Sequence, residues 1–262
     1  RTFMGLLIEL SEEEALKRKE RYLHTHPEYQ RQEALLHQHT AGRYIGDLVY
    51  GANDGIITTF AIVAGAAGAA LPASVVIILG VANILADGIS MGASNFLGGK
   101  SEQDFARAQR EKESWEIDHL RELEIEEIRE IFIRKGFQGK ELESAVKVVT
   151  SNRKVWLDTM MKDELGIMED PSDEPKKHGL VTFAAFVVAG FFPLLPYLVS
   201  PGPSSFLFST IAGAATLFVV GALRTLITTV SWFRGGLEML LVGGAAAAVA
   251  YFVGAFVENL VS

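Results

Sequence analysis

Three long stretches of this chain, 55–86, 178–223 and 237–257, are uncharged or nearly so. All 24 Lys and Arg lie outside them: seven between Arg1 and Arg43, fifteen between Lys100 and Lys177, and two more at Arg224 and Arg234. A helix that crosses a bilayer needs roughly 20 mainly apolar residues. Helices are the natural choice there because no water is present to satisfy open backbone groups. The pattern therefore predicts an all-α, polytopic membrane protein.

The run 55–86 is too long for one helix and contains Leu71-Pro72-Ala73-Ser74, a tight turn with Pro at a helix start. Two spans are predicted there, over 44–70 and 72–97. The second run is expected to break at Pro193, Pro196 and Ser200-Pro201-Gly202-Pro203, which gives spans over 179–199 and 204–226. A fifth span is predicted over 236–257. With the N-terminus in the cytosol, the turn near Pro72, the loop near Pro201 and the C-terminal tail all face away from it. None of the three carries a Lys or Arg. The positive-inside rule then favours N-in, C-out. The chain opens at Arg1 rather than Met, consistent with a preceding segment, and its start lacks the pattern of a signal peptide.

Between the second and third spans lies a polar insertion, 99–178, with 20 Asp/Glu and 15 Lys/Arg. Leu123, Ile125, Ile128 and Ile131 interleave with acids at helical spacing, and further helices are predicted over 140–150 and 152–165. Gly136-Phe137-Gln138-Gly139 reads as a turn and Asp170–Pro175 as a linker back to the membrane. The expected division is a polar helical extension over 1–43, two spans over 44–98, a helical cytoplasmic unit over 99–178 and three spans over 179–262. The stretch 11–39 also looks helical, with a break at His26-Pro27. Its His24, His26, His37 and His39 form two His-x-His pairs that read as surface residues. With no Cys, the chain has no disulfide scaffold, Cys-ligated zinc or iron–sulfur site, or thiol nucleophile. A net charge of -8 gives no electrostatic case for a nucleic-acid partner.

Carboxylates inside a bilayer are costly and mark functional candidates. Three occur in the first two spans: Asp47, Asp54 and Asp87. Asp47, Asp54 and Thr58 share one helical face, and Asn83, Asp87, Met91 and Ser94 form a second stripe with Ser90 beside it. Two such stripes on neighbouring antiparallel helices can enclose a hydrated path. The competing reading is that Asp47 sits at the interface and Asp87 serves packing. Met91 shifts the proposed cargo from hard ions toward a softer transition metal such as Fe(II), although a Met in an apolar helix is also ordinary filler. In the insertion, Glu113 and Glu116 are three residues apart, as are Glu124 and Glu127, and Met160 or Met161 shares a face with Glu164. Oxygen ligands with Met describe a labile divalent-metal site; an ordinary solvated acidic helix is the alternative.

The run Asp47-Leu48-Val49-Tyr50-Gly51-Ala52-Asn53-Asp54-Gly55-Ile56-Ile57-Thr58-Thr59-Phe60, with Ala86-Asp87-Gly88-Ile89-Ser90-Met91-Gly92-Ala93, resembles the vacuolar iron transporter family, whose bacterial members are iron/manganese transporters. The resemblance runs from about residue 42 to the C-terminus and implies five spans with a helical metal-binding domain between the second and third. It implies a homodimer that exports Fe(II) from the cytosol in exchange for protons, in an inner membrane if bacterial or a vacuolar-type membrane if eukaryotic. By the same resemblance, Asp54 and Met91 fall on the transport site and Asp47 on a further acidic position. Glu113, Glu116, Glu124, Glu127, Met160, Met161 and Glu164 fall on ligand positions of the cytoplasmic domain. Asn83 and Asn95 depart from relatives that carry a carboxylate there.

No enzyme and no resident cofactor are expected; the metal is cargo. The rival readings are a membrane-anchored ferroxidase and a metal sensor or store without transport. A ferritin-like ferroxidase needs two Glu-x-x-His motifs, and this chain offers one, Glu116-Ile117-Asp118-His119.

Overall fold

The computed structural model describes residues 39–261 apart from 169, 171 and 228–230, together with 17, 18 and 21. The expected helix over 11–39, its break at His26-Pro27 and the His-x-His pairs lie almost wholly outside these residues. Eight α-helices follow among the described residues: α1 (His39–Gly68), α2 (Ala73–His119), α3 (Arg121–Arg134), α4 (Gly139–Thr150), α5 (Arg153–Thr159), α6 (Pro175–Val199), α7 (Ser205–Leu223) and α8 (Trp232–Val261). A π-helical turn, Met160–Glu164, follows α5, and a 3-10 turn, Arg224–Ile227, follows α7. Among the described residues α1, α2, α6, α7 and α8 are each long and apolar enough to cross a membrane.

Two local expectations give way. The span expected to end near residue 97 continues as one helix to His119, 47 residues in all. At 1.5 Å per residue that is about 70 Å, more than twice the apolar thickness of a bilayer. The C-terminal half of α2 therefore stands outside the membrane as the first helix of the insertion. Pro193 and Pro196 are expected as breaks in the second apolar run, yet both lie inside α6, which runs to Val199, the predicted end of the third span. A proline at position i removes the donor to the carbonyl at i−4, so Ala189 and Phe192 lose their helical partners. The Ser209 hydroxyl on α7 donates to a different carbonyl, that of Pro193, at 2.5 Å and ties α7 to α6.

Helix α6 lies between α1 and α2, while α7 and α8 cover the other side of α1. The contact between α1 and α6 is backbone on backbone: a Cβ on Gly55 would overlap the Phe186 carbonyl, and one on Gly51 the Thr182 carbonyl. Close approach at small residues is how apolar helices gain packing where water supplies no hydrophobic drive. The run Gly65–Gly68 approaches α8 near Ala250 and Tyr251, so it serves packing within the chain.

The insertion has a core of its own. Ile117 from α2, Ile128 and Ile131 from α3, Leu142, Val146 and Val149 from α4, and Trp156 and Leu157 from α5 close around Met160 and Met161. Its turn at Gly136 (φ 93°) and Gly139 (φ 54°) uses the left-handed region that glycine enters freely. Asn152 caps α5, its side-chain oxygen accepting from Lys154 N at 3.0 Å and Val155 N at 3.3 Å.

Candidate functional site

The antiparallel pairing of α1 and α2 is registered by one bond: Asn95 Nδ2 donates to Asp47 Oδ1 at 2.7 Å. That register brings Asp54 near Asp87, close enough for their charges to act on each other. Met91 falls between the two levels. A cleft of about 590 Å3 opens between the helices, lined among others by Asp47, Tyr50, Ser90, Met91, Ser94 and Asn95. The cleft thus joins Asp47 of the first stripe to Met91 and Ser94 of the second, while Asp54 and Asp87 lie outside its lining. Asp54, Asp87 and Met91 are all half-buried. Thr58 turns its hydroxyl back to the Asp54 carbonyl, 2.8 Å away. Three buried polar atoms of the spans, Asn53 Oδ1, Thr59 Oγ1 and Asn83 Nδ2, have no hydrogen-bond partner among the described residues. Orphaned polar atoms inside an apolar bundle are costly and mark places that water or an ion can satisfy.

Both oxygens of Asp47 are engaged. Opposite the Asn95 contact, Asp47 Oδ2 lies 2.5 Å from His178 Nδ1, and His178 Nε2 lies 2.7 Å from Asp173 Oδ1. Sequence reasoning missed His178, Asp173 and Thr182. The available signal is a lone His in the first turn of an apolar span, at the edge of the insertion.

In the insertion, the pairs Glu113/Glu116 on α2 and Glu124/Glu127 on α3 come together with Glu164 of the π turn, near enough to repel one another. Glu113 and Glu124 are each only 2% exposed, and Glu124 Oε2 has no hydrogen-bond partner among the described residues. Lys112 supplies a cation beside them, its Nζ 3.1 Å from Glu116 Oε2 and 3.9 Å from Glu113 Oε1. Burial, then neighbouring acids, pushes the Glu113 and Glu124 carboxyls up to about 7. The same causes raise Glu127 and Glu164. Met160 and Met161 are buried in the apolar core. The widened π turn, closed by Leu165 N to Met160 O at 3.2 Å, lets both consecutive side chains point inward. Among the described residues, no three His, Asp or Glu side chains form a ready-made metal cage.

A carboxyl whose pKa is higher folded than unfolded favours folding while it is protonated. That contribution is whole below the unfolded value of 4.5 and is lost as pH rises through about 7. In chelator, the unfolding temperature of the detergent-solubilised chain should therefore fall between pH 5 and pH 8. Glu113→Gln with Glu124→Gln should flatten that slope. A temperature that climbs with pH, or a slope the double variant leaves intact, refutes the assignment.

The sequence model of the VIT family matches residues 45–255, from the first turns of α1 nearly to the end of α8. A vacuolar iron transporter of Toxoplasma gondii is 35% identical over 237 residues, covering 86% of this chain and 78% of that protein. Vacuolar iron transporter 1 of Arabidopsis thaliana is 33% identical over 222 residues, covering 84% and 88% respectively. A vacuolar iron transporter of Plasmodium falciparum is 32% identical over 225 residues, or 82% of each chain. The α1–α2 cleft and the acidic insertion both fall within the matched region, and on this evidence the chain belongs to the VIT family.

Proposed function

We propose that this chain moves Fe(II), or Mn(II), out of the cytosol in exchange for protons, as a homodimer with its N-terminus and helical insertion on the cytosolic side. Membership of the family makes it a metal-ion transporter in a lipid bilayer and not an enzyme. The observation that carries the finer reading is the cleft: Met91 and Asp47 line one groove between the first two spans, and Asp54 and Asp87 of the same two spans lie within electrostatic reach of each other. A thioether beside carboxylates suits Fe(II) better than Mg or Ca.

The insertion supplies the ion. Its buried and half-buried glutamates concentrate divalent cations next to the end of the cleft that faces them. Within the spans, a divalent ion or protons can each neutralise Asp54 and Asp87. Exchanging one for the other keeps the buried charge compensated, which is the physical basis of antiport. The ferroxidase reading loses support from His119, which stacks on Trp115 and bonds its carbonyl at 2.8 Å from an exposed position instead of joining the acids.

Proteoliposomes test the proposal directly. Fe(II) uptake should follow an imposed pH gradient and collapse with a protonophore. Glu124→Ala with Glu127→Ala should slow it without abolishing it. Uptake indifferent to the gradient refutes antiport, and Fe(II) oxidation without uptake favours the ferroxidase.

A further inference from the structure

We propose that His178 is a positioning residue for metal transport: backed by Asp173, its imidazole holds the Asp47 carboxylate against Asn95 at the insertion side of the α1–α2 cleft. The proposal rests on the transport reading above and adds to it a device that sets the geometry of the entrance.

Five side chains from three helices and a linker form one connected array. Asp47 on α1 receives Asn95 Nδ2 from α2 at 2.7 Å and faces His178 Nδ1 from α6 at 2.5 Å. Carboxylates only accept hydrogen bonds, so each ring nitrogen of His178 meets its carboxylate as a donor. The second amide hydrogen of Asn95 goes to Thr182 Oγ1 at 2.6 Å, and the Thr182 hydroxyl in turn donates to the His178 carbonyl at 3.0 Å. The Tyr44 ring packs on the imidazole with centroids 4.7 Å apart.

Asp173 belongs to the linker that returns from the insertion, and the linker is itself tied to α1. Arg43 donates to the Ser172 carbonyl at 2.6 Å and to the Asp170 carboxylate at 2.7 Å. Asp47 and His178 are 14% and 17% exposed, so the bond between them is largely shielded from water. Charge-assisted bonds with little exposure are the strong ones. In this arrangement Asp47 has no free oxygen. It acts as a fixed negative charge at the entrance, aimed by His178, and an arriving ion meets it preset.

The test uses the full chain in proteoliposomes, reading the half-saturating Fe(II) concentration and the maximal rate separately. His178→Ala should raise half-saturation about ten-fold, the size expected when a charge-assisted hydrogen bond is lost, and leave the maximal rate within about two-fold. In an Asp47→Ala background the same change should add nothing. His178→Asn places its amide nitrogen where Nδ1 stood and should restore half-saturation. His178→Gln places it where Nε2 stood and should not, although it fills more of the space.

Should the Ala variant fail to accumulate, the Asn and Gln pair decides by itself. Unchanged half-saturation, equal rescue by Gln, or full additivity with Asp47→Ala overturns the proposal. If the wild-type vesicles carry no iron, the failure belongs to the transport reading. The Asp47–His178 mutant cycle is then read as unfolding temperature in detergent: non-additive effects support the positioning role, and additive effects overturn it.

Discussion

Asp54→Asn is expected to cut iron flux into proteoliposomes by at least about 100-fold, since even the outer partners of a metal ligand are worth about 10–100-fold. Protein yield and unfolding temperature should stay near wild type. The two side chains have the same shape, so the substitution removes charge and little else. Asp54 lies in the spans close enough to Asp87 for their charges to interact, beside Asn53, whose Oδ1 is buried without a hydrogen-bond partner among the described residues. A carboxylate kept in such a place serves an ion or a proton better than it serves packing. If Asp54 were a packing residue, the isosteric amide would transport normally. Wild-type flux in Asp54→Asn would therefore sink the site, and with it the alternation of metal and protons at the two carboxylates.

Gly55→Ala carries the second large effect, on folding. A single Cβ at this position overlaps the Phe186 carbonyl of α6. The obstacle is backbone, so no side-chain rotation can relieve it and the helices must move apart. Overpacking of cores costs roughly 1–3 kcal/mol where side chains can adjust, and this site should reach or pass the upper end. The shift also displaces Asp54, the adjacent residue, so flux should fall together with unfolding temperature. Gly244 on α8 provides the control, because nothing lies within 4 Å of a Cβ built there. Gly244→Ala should be neutral or slightly stabilising, as alanine is the better helix former by about 1 kcal/mol. Equal unfolding temperatures for the two alanine variants would refute the close α1–α6 contact.

Much of the fold could be read from the chain, because the signals are local. Charge-free runs mark the five spans, and interleaved Ile and Glu mark α3. Gly136 to Gly139 marks the turn before α4. A carboxylate or thioether in an apolar run stands out in one dimension, which is why Asp47, Asp54, Asp87 and Met91 could be singled out before any packing was known. Where local signals were read too literally, they misled. Pro193 and Pro196 lie inside α6 and do not break the run. The second span, expected to end near residue 97, runs on as α2 to His119.

The amino-acid order therefore settled which segments enter the bilayer and which costly side chains go with them, because both follow from transfer energies summed over adjacent residues. Packing alone decided what those side chains touch. His178 meets Asp47 across 131 positions, and Arg43 reaches Ser172 across 129. Such pairs exist only because α1 and α6 pack backbone to backbone at Gly51 and Gly55, and no periodicity along the chain encodes that contact. The inward turn of both Met160 and Met161 likewise depends on a π turn stabilised by the core around it.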